Sequence, residues 1–362
     1  MFYYLSQFRF EFFPLNIFKY ITFRAGMAAV TTFLVCFIVG PWFIAMLQKK
    51  SLREKAGRKG CEEVLGEFHK TKEGTPTMGG ILIVGSIATS VVLWADMTNL
   101  YIQLTLLTMV WLAAVGFVDD YLKIAGICKE GMRPRTKLIW QLILAAIVSL
   151  IIYSQPDVST KLDVPFFKNL ALDLGPYYIF VVMLIVVGTS NAVNLTDGMD
   201  GLAIGCTLMV AVTLSILCYV TGNINFSSYL FIPYIPGAGE LTVFCTAIVG
   251  ASLGFLWFNA HPATVFMGDV GALALGGTLG IIAVFIKKEF LLVILGGVFV
   301  WEALSVILQV ASFKMTGKRI FKCSPYHHHL QKLGWQESKI IIRFWIIAII
   351  LAFVTLTTLK IR

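Results

Sequence analysis

Charged residues are scarce in this chain. Only 14% of its 362 residues are Asp, Glu, Lys or Arg, whereas 58% are hydrophobic. A soluble domain carries roughly a quarter charged residues, so the composition argues against a soluble enzyme. Apolar runs of about twenty residues recur instead, and each is long enough to cross ~30 Å of hydrocarbon. We therefore expect an all-α polytopic membrane protein, since a membrane barrel would show short segments of alternating hydropathy.

Paired cysteines are also missing, and we expect no signal peptide in the N-terminal stretch. The seven Cys residues are scattered without the spacing of a disulfide framework or a zinc site, so reduced structural thiols are expected. Residues 1–21 lack a cationic stretch followed by a cleavage site. Their many Phe and Tyr residues favour a segment at the membrane interface, ahead of the first span.

Ten apolar stretches are candidate membrane-spanning helices in a single domain covering residues 1–362. Spans seven to nine contain closely spaced glycines, which close helix–helix packing explains without a binding site. The predicted spans are 22–46, 78–95, 99–118, 137–154, 175–192, 200–220, 241–258, 270–286, 290–312 and 341–359.

Basic residues alternate from loop to loop. The loops after spans one, three and nine carry eight, five and seven Lys or Arg, whereas the four loops on the other side carry four in total. The positive-inside rule therefore places both termini outside and the odd-numbered loops in the cytoplasm. The predicted cytoplasmic loops are about 47–77, 119–136, 193–199, 259–269 and 313–340.

All five of these loops carry a polar or glycine-rich motif, and the outer loops carry nothing comparable. The asymmetry predicts one site, built at the cytoplasmic ends of several helices, and the basic loops would attract an anionic ligand. The motifs are TKEGTPTMGG (71–80), GFVDDYLK (116–123), NAVNLTDGMDG (191–201), HPATVFMGDVG (261–271) and SPYHHHL (324–330).

The residue types in these motifs favour phosphoryl transfer. Five carboxylates without nearby Cys suit Mg²⁺ or Mn²⁺ rather than zinc. Glycine-rich turns let backbone N–H groups approach phosphate. Crowded carboxylates also need a cation or basic side chains among them, for which Lys72 and the His run are candidates. The carboxylates are Asp119, Asp120, Asp197, Asp200 and Asp269.

Purely structural interpretations remain open for each motif. Asp119 and Asp120 could be interfacial charges, and Asp269 could cap the eighth span. Asn194, Asp197 and Asp200 recur every three residues, in a helix start or a turn. The His run could be exposed. Glu302, deep in span nine, could pair inside the bundle or face the site with Gln309, seven residues on.

Taken in this order and on this span pattern, the motifs resemble those of a known family. They are similar to the motifs of the phospho-N-acetylmuramoyl-pentapeptide transferases, within the polyprenyl-phosphate N-acetylhexosamine-1-phosphate transferase superfamily. The aspartate motifs occur across the superfamily, whereas the intact PYHHH and GTPTMGG stretches indicate this family. The resemblance covers nearly the whole chain.

The resemblance implies a ten-helix enzyme of the bacterial inner membrane, usually a homodimer, with its site facing the cytoplasm. It implies transfer of phospho-MurNAc-pentapeptide from UDP-MurNAc-pentapeptide to undecaprenyl phosphate, giving lipid I and UMP. This is the first membrane step of peptidoglycan synthesis. Mg²⁺ is the implied cofactor, and no nucleic acid is expected as a partner.

The resemblance also implies roles for individual residues. Asp269 is the expected metal ligand, and Phe266 is expected to stack on uracil. The expected catalytic residues are Asp119, Asp120, Asp269 and His327. The expected substrate-binding residues are Lys72, Thr77, Asn194, Asp197, Gly198, Met199, Asp200, Phe266, Gly268, Gln309, His328 and His329.

Other functions compete with this interpretation. A secondary transporter would place its polar site near the membrane midplane on broken helices, and would show an internal repeat, which the sequence lacks. A sister transferase that uses UDP-N-acetylglucosamine is the nearest alternative among enzymes. A CDP-alcohol phosphotransferase is disfavoured because DGMDGLA lacks the D-G-x-x-A-R pattern.

Overall fold

A computed structural model describes residues 1–10, 13–49, 75–128, 131–155, 159–163 and 171–360. Within these ranges the chain is almost entirely helical, and nine helices are long and apolar enough to cross a membrane. The prediction of an all-α polytopic membrane protein is confirmed. The nine helices are α1 (Ile21–Lys49), α3 (Leu100–Ile124), α4 (Pro134–Ser154), α5 (Tyr178–Thr196), α6 (Leu202–Thr221), α8 (Leu241–Asn259), α9 (Gly268–Phe285), α11 (Gly297–Thr316) and α13 (Glu337–Thr357).

The shorter elements complete the chain between these helices. The second predicted span is α2 (Gly80–Trp94), which is apolar but has only 15 residues. A two-stranded antiparallel hairpin, β1 (Lys161–Asp163) and β2 (Ala171–Asp173), pairs Leu162 with Leu172. The remaining short helices are α7 (Ile224–Leu230), α10 (Glu289–Leu295) and α12 (Tyr326–Lys332), with 3-10 turns at Phe2–Phe10, Phe13–Lys19, Gly175–Tyr177, Ala238–Glu240 and Thr358–Lys360.

The ninth predicted span, 290–312, is not one helix. It divides at Gly296 into α10 and α11, and the Gly296 N–H ends the first piece by donating to the Leu292 carbonyl at 2.7 Å. Two consecutive glycines explain the break, because glycine has the lowest helix propensity after proline. The apolar pattern continues across the break, so hydropathy alone could not show it.

Helix α9 is the centre of the bundle. In its most apolar stretch 94% of the residues are buried, compared with 28% in α11 and in α13. Its glycines bring neighbouring backbones close, because a Cβ on Gly276 would lie 2.8 Å from the Ser190 Cα of α5. Packing of this kind holds membrane helices together where no hydrophobic driving force exists between them. The expectation that glycines of these spans serve packing is therefore confirmed for α9.

A buried ion pair closes the end of the bundle away from the motifs. Arg24 in α1 donates to Glu240 at 2.6 Å and to the Trp94 carbonyl, at the end of α2, at 3.2 Å. Phe2 and Phe18 of the N-terminal turns stack against the Trp94 ring. The N-terminal segment therefore packs on the bundle at this end.

Candidate functional site

Three aspartates from two helices meet at one end of the bundle. Helix α3 continues beyond residue 118, the predicted end of the third span, so Asp119 and Asp120 lie on its penultimate turn. Asp269 lies in the first turn of α9. One carboxylate oxygen from each of the three lies within 4.8 Å of the others, and all three residues are buried.

A glycine permits this meeting. Gly116 lies one turn before Asp119 and Asp120, and a Cβ on it would overlap the carbonyl group of Asp269. Any larger residue would push α3 away from the first turn of α9. The GFVDD motif thus combines a packing residue with two functional candidates.

Two lysines share the space between the carboxylates. The Lys123 ammonium lies 2.6 Å from Asp119 Oδ2 and 3.0 Å from Asp269 Oδ2. The Lys137 ammonium, from the first turns of α4, lies 2.7 Å from the same oxygen of Asp269. The expectation that basic side chains share this space is met, but by these two lysines. Lys72, one of the predicted partners, lies outside the described residues.

Asn194 completes the ring of donors around Asp269. Its Nδ2 donates to Asp269 Oδ1 at 2.7 Å. Helix α5 continues to Thr196, so Asn194 is helical and does not belong to a loop beginning at residue 193. Within the described residues, the other side-chain contacts of Asp269 are the two ammonium groups and the carboxyl group of Asp119.

The GTPTMGG and FMGDVG motifs are joined by backbone hydrogen bonds. The Phe266 N–H donates to the Pro76 carbonyl at 2.8 Å, and the Gly79 and Gly80 N–H groups donate to the Phe266 and Met267 carbonyls at 2.8 Å. Thr77 and Gly268 lie where these segments meet Asp120.

Gly268 is required by both conformation and space. Its φ is +72°, in the left-handed region that favours glycine. A Cβ there would lie 2.6 Å from Asp120 Oδ2 and 3.0 Å from the Thr77 hydroxyl oxygen. The aspartate motif of α3 therefore contacts both glycine-rich motifs at this residue.

The three-aspartate cluster fits a hard divalent cation. Its acidic ligands are all oxygen, and Mg²⁺ usually takes one or two carboxylates and leaves other positions for phosphate. The ammonium groups of Lys123 and Lys137 lie on carboxylate oxygens of this cluster. A cation that used those oxygens would displace the two side chains.

The turn that follows Asn194 contacts a further part of the site. A Cβ on Gly198 would overlap His327 Nε2, so the turn and that ring are in direct contact. Met199 is buried in the apolar core, and Asp197 is half-buried.

Asp200 belongs to a second acidic cluster. Its Oδ2 accepts from the Ala263 N–H and lies 3.1 Å from His261 Nδ1. Its own N–H donates to Glu337 Oε1 at 3.2 Å, and Asp200, His261 and Glu337 again bring ligand atoms within 4.8 Å. Here the carboxylate of Asp200 holds the HPA turn in place through a backbone N–H group.

The three consecutive histidines have three different environments. His327 is fully buried, and its Nδ1 lies 3.1 Å from Glu302 Oε2. His328 Nδ1 lies 2.8 Å from Gln331 Oε1. His329 Nδ1 accepts the Lys322 N–H at 3.1 Å. The SPYHHHL motif forms a short helix, α12, which the sequence interpretation did not predict.

Gln309 is hydrogen-bonded to the loop that precedes helix α12. Its Nε2 donates to the Phe321 carbonyl at 2.9 Å, and its Oε1 accepts the N–H groups of Ile320 and Phe321. These contacts fix residues 320–321 beside α11. Gln309 is buried on the same helix as Glu302, as the seven-residue spacing indicates.

Sequence reasoning missed several residues of the site. Lys123 and Lys137 were counted only as loop charges, although Lys123 stands one helical turn after Asp119 and could have been paired with it. Glu337 carried no signal, because its contact with Asp200 joins residues 137 apart in the chain.

Comparison with known proteins agrees with this arrangement. Residues 102–287 match the profile of glycosyl transferase family 4, and residues 72–84 match the phospho-N-acetylmuramoyl-pentapeptide-transferase signature 1. The chain is 54% identical over 347 residues, 96% of each chain, to a Citrifermentans bemidjiense protein. It is 50% identical over 363 residues, 100% of each chain, to one from Desulforapulum autotrophicum, and both relatives are named phospho-N-acetylmuramoyl-pentapeptide-transferase. The chain therefore belongs to the phospho-N-acetylmuramoyl-pentapeptide-transferase family of membrane enzymes.

Proposed function

We propose that this protein transfers phospho-MurNAc-pentapeptide from UDP-MurNAc-pentapeptide to undecaprenyl phosphate, giving lipid I and UMP. The meeting of Asp119, Asp120 and Asp269 with two lysines is the observation that carries the proposal. Three carboxylates and two ammonium groups lie together at the ends of helices. A reaction between two phosphates requires charged groups that can neutralise the phosphate oxygens, directly or through a metal.

The main task of the site is to hold two anionic phosphates together. The attacking group is a phosphate monoester, whose second pKa is about 6, so it is already largely ionised at neutral pH. A strong general base is therefore less necessary than in transfer to an alcohol. The Lys123 and Lys137 ammonium groups, once they leave Asp269, are placed to neutralise phosphate oxygens.

The cluster would hold Mg²⁺ through Asp269, with Asp119 and Asp120 close enough to contribute. When bound, Mg²⁺ would supply charge neutralisation and orientation for the phosphate oxygens. Asn194 would keep one oxygen of Asp269 in place through its amide. Removal of the metal with a chelator is expected to abolish turnover, and adding Mg²⁺ back is expected to restore it.

We propose that the segments next to this cluster bind the nucleotide end of the substrate. Phe266 would stack on uracil, with Lys72, Thr77 and Gly268 nearby, and Asn194, Asp197, Gly198, Met199 and Asp200 would form the pocket. Gln309, His327, His328 and His329 would line the diphosphate and sugar side. The hydrogen bonds between Pro76–Gly80 and Phe266–Met267 support this grouping, because they bring two of these segments together.

We favour direct in-line attack over a covalent intermediate. An oxygen of the lipid phosphate attacks the β-phosphorus, and the bond from that phosphorus to the bridging oxygen breaks, so UMP leaves. A covalent intermediate would need Asp119 or Asp120 as the nucleophile. Asp119 accepts the Met132 N–H and Asp120 accepts the Val270 N–H, so one oxygen of each carboxylate is already hydrogen-bonded to the backbone. Inversion at a chiral β-phosphorus is the expected result, and retention would establish a covalent phosphoryl-enzyme instead.

One assay tests the reaction itself. Purified protein receives UDP-MurNAc-pentapeptide and undecaprenyl phosphate, with and without chelator, and UMP release is measured. No UMP in the presence of Mg²⁺ would reject the proposal. Release from UDP-N-acetylglucosamine instead would point to the sister transferase, and substrate flux without UMP would point to a transporter.

We further propose that the site faces the cytoplasm of the bacterial inner membrane and that the enzyme is a homodimer. Cys128, just after α3, is the one exposed cysteine among the described residues. In a Cys61→Ala background, an impermeant maleimide should label Cys128 only after the cells are permeabilised. Labelling of intact cells would reverse the orientation. Light scattering of the purified protein would test the dimer.

A further inference from the structure

Glu302 is an acidic side chain that the proposed function leaves without a role. It is fully buried in the apolar helix α11. Its Oε1 accepts the backbone N–H of His327 at 3.1 Å, and its Oε2 lies 3.1 Å from the ring Nδ1 of the same residue. Among the described residues, His327 is the one ionisable group within ion-pair distance of Glu302. A carboxylate at this depth is costly unless it is paired.

The other ring nitrogen of His327 faces the turn of the NLTDGMDG motif. Nε2 is buried and has no hydrogen-bond partner among the described residues. A Cβ on Gly198 would overlap Nε2, so the turn packs directly against the ring and any side chain at this position would displace it. Buried polar atoms are normally satisfied in native proteins, and an unsatisfied one calls for a partner.

We infer that Glu302 is a positioning residue for His327. Its carboxylate holds the ring by Nδ1–H and balances the charge of an imidazolium, so that Nε2–H is presented to a phosphate oxygen of the nucleotide-sugar substrate. This inference rests on the proposed function, and it adds a residue that the motif pattern did not include. The arrangement follows the general rule that the hydrogen bond at one imidazole nitrogen sets the state of the other.

The pairing with Glu302 also distinguishes His327 from His329. His329 uses Nδ1 to accept a backbone N–H, so in its neutral form the proton is on Nε2. His327 has the opposite arrangement, with an acidic partner at Nδ1 and an open Nε2. His327 and His329 therefore hold their protons on different ring nitrogens.

The first test observes the ring itself. The protein has five histidines, so ¹⁵N-histidine labelling gives a small set of ring signals, and His327→Asn identifies those of His327. We expect Nδ1 to be protonated in the free protein. Adding UDP-MurNAc-pentapeptide without acceptor lipid should protonate Nε2. An unprotonated Nδ1 in the free protein would overturn the inference.

Glu302→Gln keeps the size of the side chain and an oxygen for the His327 N–H, but removes the charge. We expect this variant to bind the nucleotide-sugar without forming an imidazolium, because the new amide donates to Nδ1 and leaves a neutral ring with its proton on Nε2. Its kcat should fall by about tenfold with little change in KM. Glu289→Gln is the matched control, because Glu289 is also a buried glutamate, bonded to Tyr178 at 2.6 Å, and lies outside the site. The control should behave as the natural protein does.

A second variant separates positioning from folding. Gly198→Ala should leave Nδ1 protonated beside Glu302, yet block the ligand-induced change at Nε2. A Glu302→Gln variant whose His327 ring still becomes doubly protonated when the nucleotide-sugar binds would reject the role of Glu302 and leave the proposed function standing. Failure of UDP-MurNAc-pentapeptide to bind the natural protein would reject the proposed function itself.

Discussion

Two clusters of acidic side chains lie at the same end of the bundle, and each brings three ligand atoms within 4.8 Å of one another. The first contains Asp119, Asp120 and Asp269. The second contains Asp200 and Glu337, together with His261. By distance alone, both clusters satisfy the requirement for holding a metal ion.

Their partners separate them. Asp269 is contacted by the ammonium groups of Lys123 and Lys137 and by the amide of Asn194, all of which are side chains that can rotate away. Asp200 instead receives the Ala263 N–H, and its own N–H is held by Glu337. The lysine and asparagine partners of Asp269 can move aside for a ligand, whereas the backbone N–H bonded to Asp200 makes that residue a brace between loops.

The largest effect is expected from Asp269→Asn. The amide keeps the shape of the side chain but removes the charge that a divalent cation needs, so turnover should fall by about 10³-fold or more. Mn²⁺ titration followed by electron paramagnetic resonance should show lost affinity, while the melting temperature changes little. Retained Mn²⁺ affinity would move the metal site away from Asp269.

A smaller but more diagnostic effect is expected from Lys137→Met. The Lys137 ammonium lies 2.7 Å from the oxygen of Asp269 that a metal would use, so the two cations compete. Turnover should fall about 10- to 100-fold because a phosphate partner is lost. Mn²⁺ affinity should nevertheless rise. Unchanged or weaker affinity would show that the lysine and the metal do not share this oxygen.

Gly116→Ala tests the approach of the two helices. The added methyl group would overlap the backbone of Asp269 and separate α3 from α9, so a loss of roughly tenfold in turnover is expected, with about 1–3 kcal/mol of lost stability. Gly85→Ala in α2 is the control, since a Cβ there meets nothing within 4 Å. Equal effects of the two substitutions would refute the packing explanation.

The smallest loss of turnover is expected from Asp200→Asn. Replacing a charged acceptor of the Ala263 N–H should cost about 1–3 kcal/mol of stability and lower the melting temperature. Turnover should fall only a few-fold, and Mn²⁺ affinity should not change. A loss of Mn²⁺ affinity would make the second cluster a metal site and remove the distinction from the first.

Much of the fold could be predicted from hydropathy, because length and apolar content are what a bilayer requires of a helix. All ten predicted stretches are helical in the structure, and only the ninth is divided. The break at Gly296 escaped prediction because the residues on both sides are equally apolar. Helix α12 escaped because a seven-residue helix leaves no periodic signal.

The sequence predicted which residues belong to the site better than it predicted the contacts between them. Asp119, Asp120 and Asp269 meet as the motif pattern indicates, because the ends of alternating helices lie on the same side. The pairing of Lys137 with Asp269 joins residues 132 apart, and that of Glu302 with His327 joins residues 25 apart on two helices. Pairs of this kind depend on the packing angles of helices, which no local pattern in the sequence encodes.

The burial of α9 has a consequence for how the enzyme tolerates its membrane. Bilayers differ in thickness, and lipid-facing helices adapt to them by tilting. With 94% of its most apolar stretch buried, α9 has almost no surface through which lipid could act on it, whereas α11 and α13 face outward. Asp269 thus lies on the most buried of these helices. We expect the outer helices to tilt when the bilayer thickness changes, while the position of Asp269 stays the same.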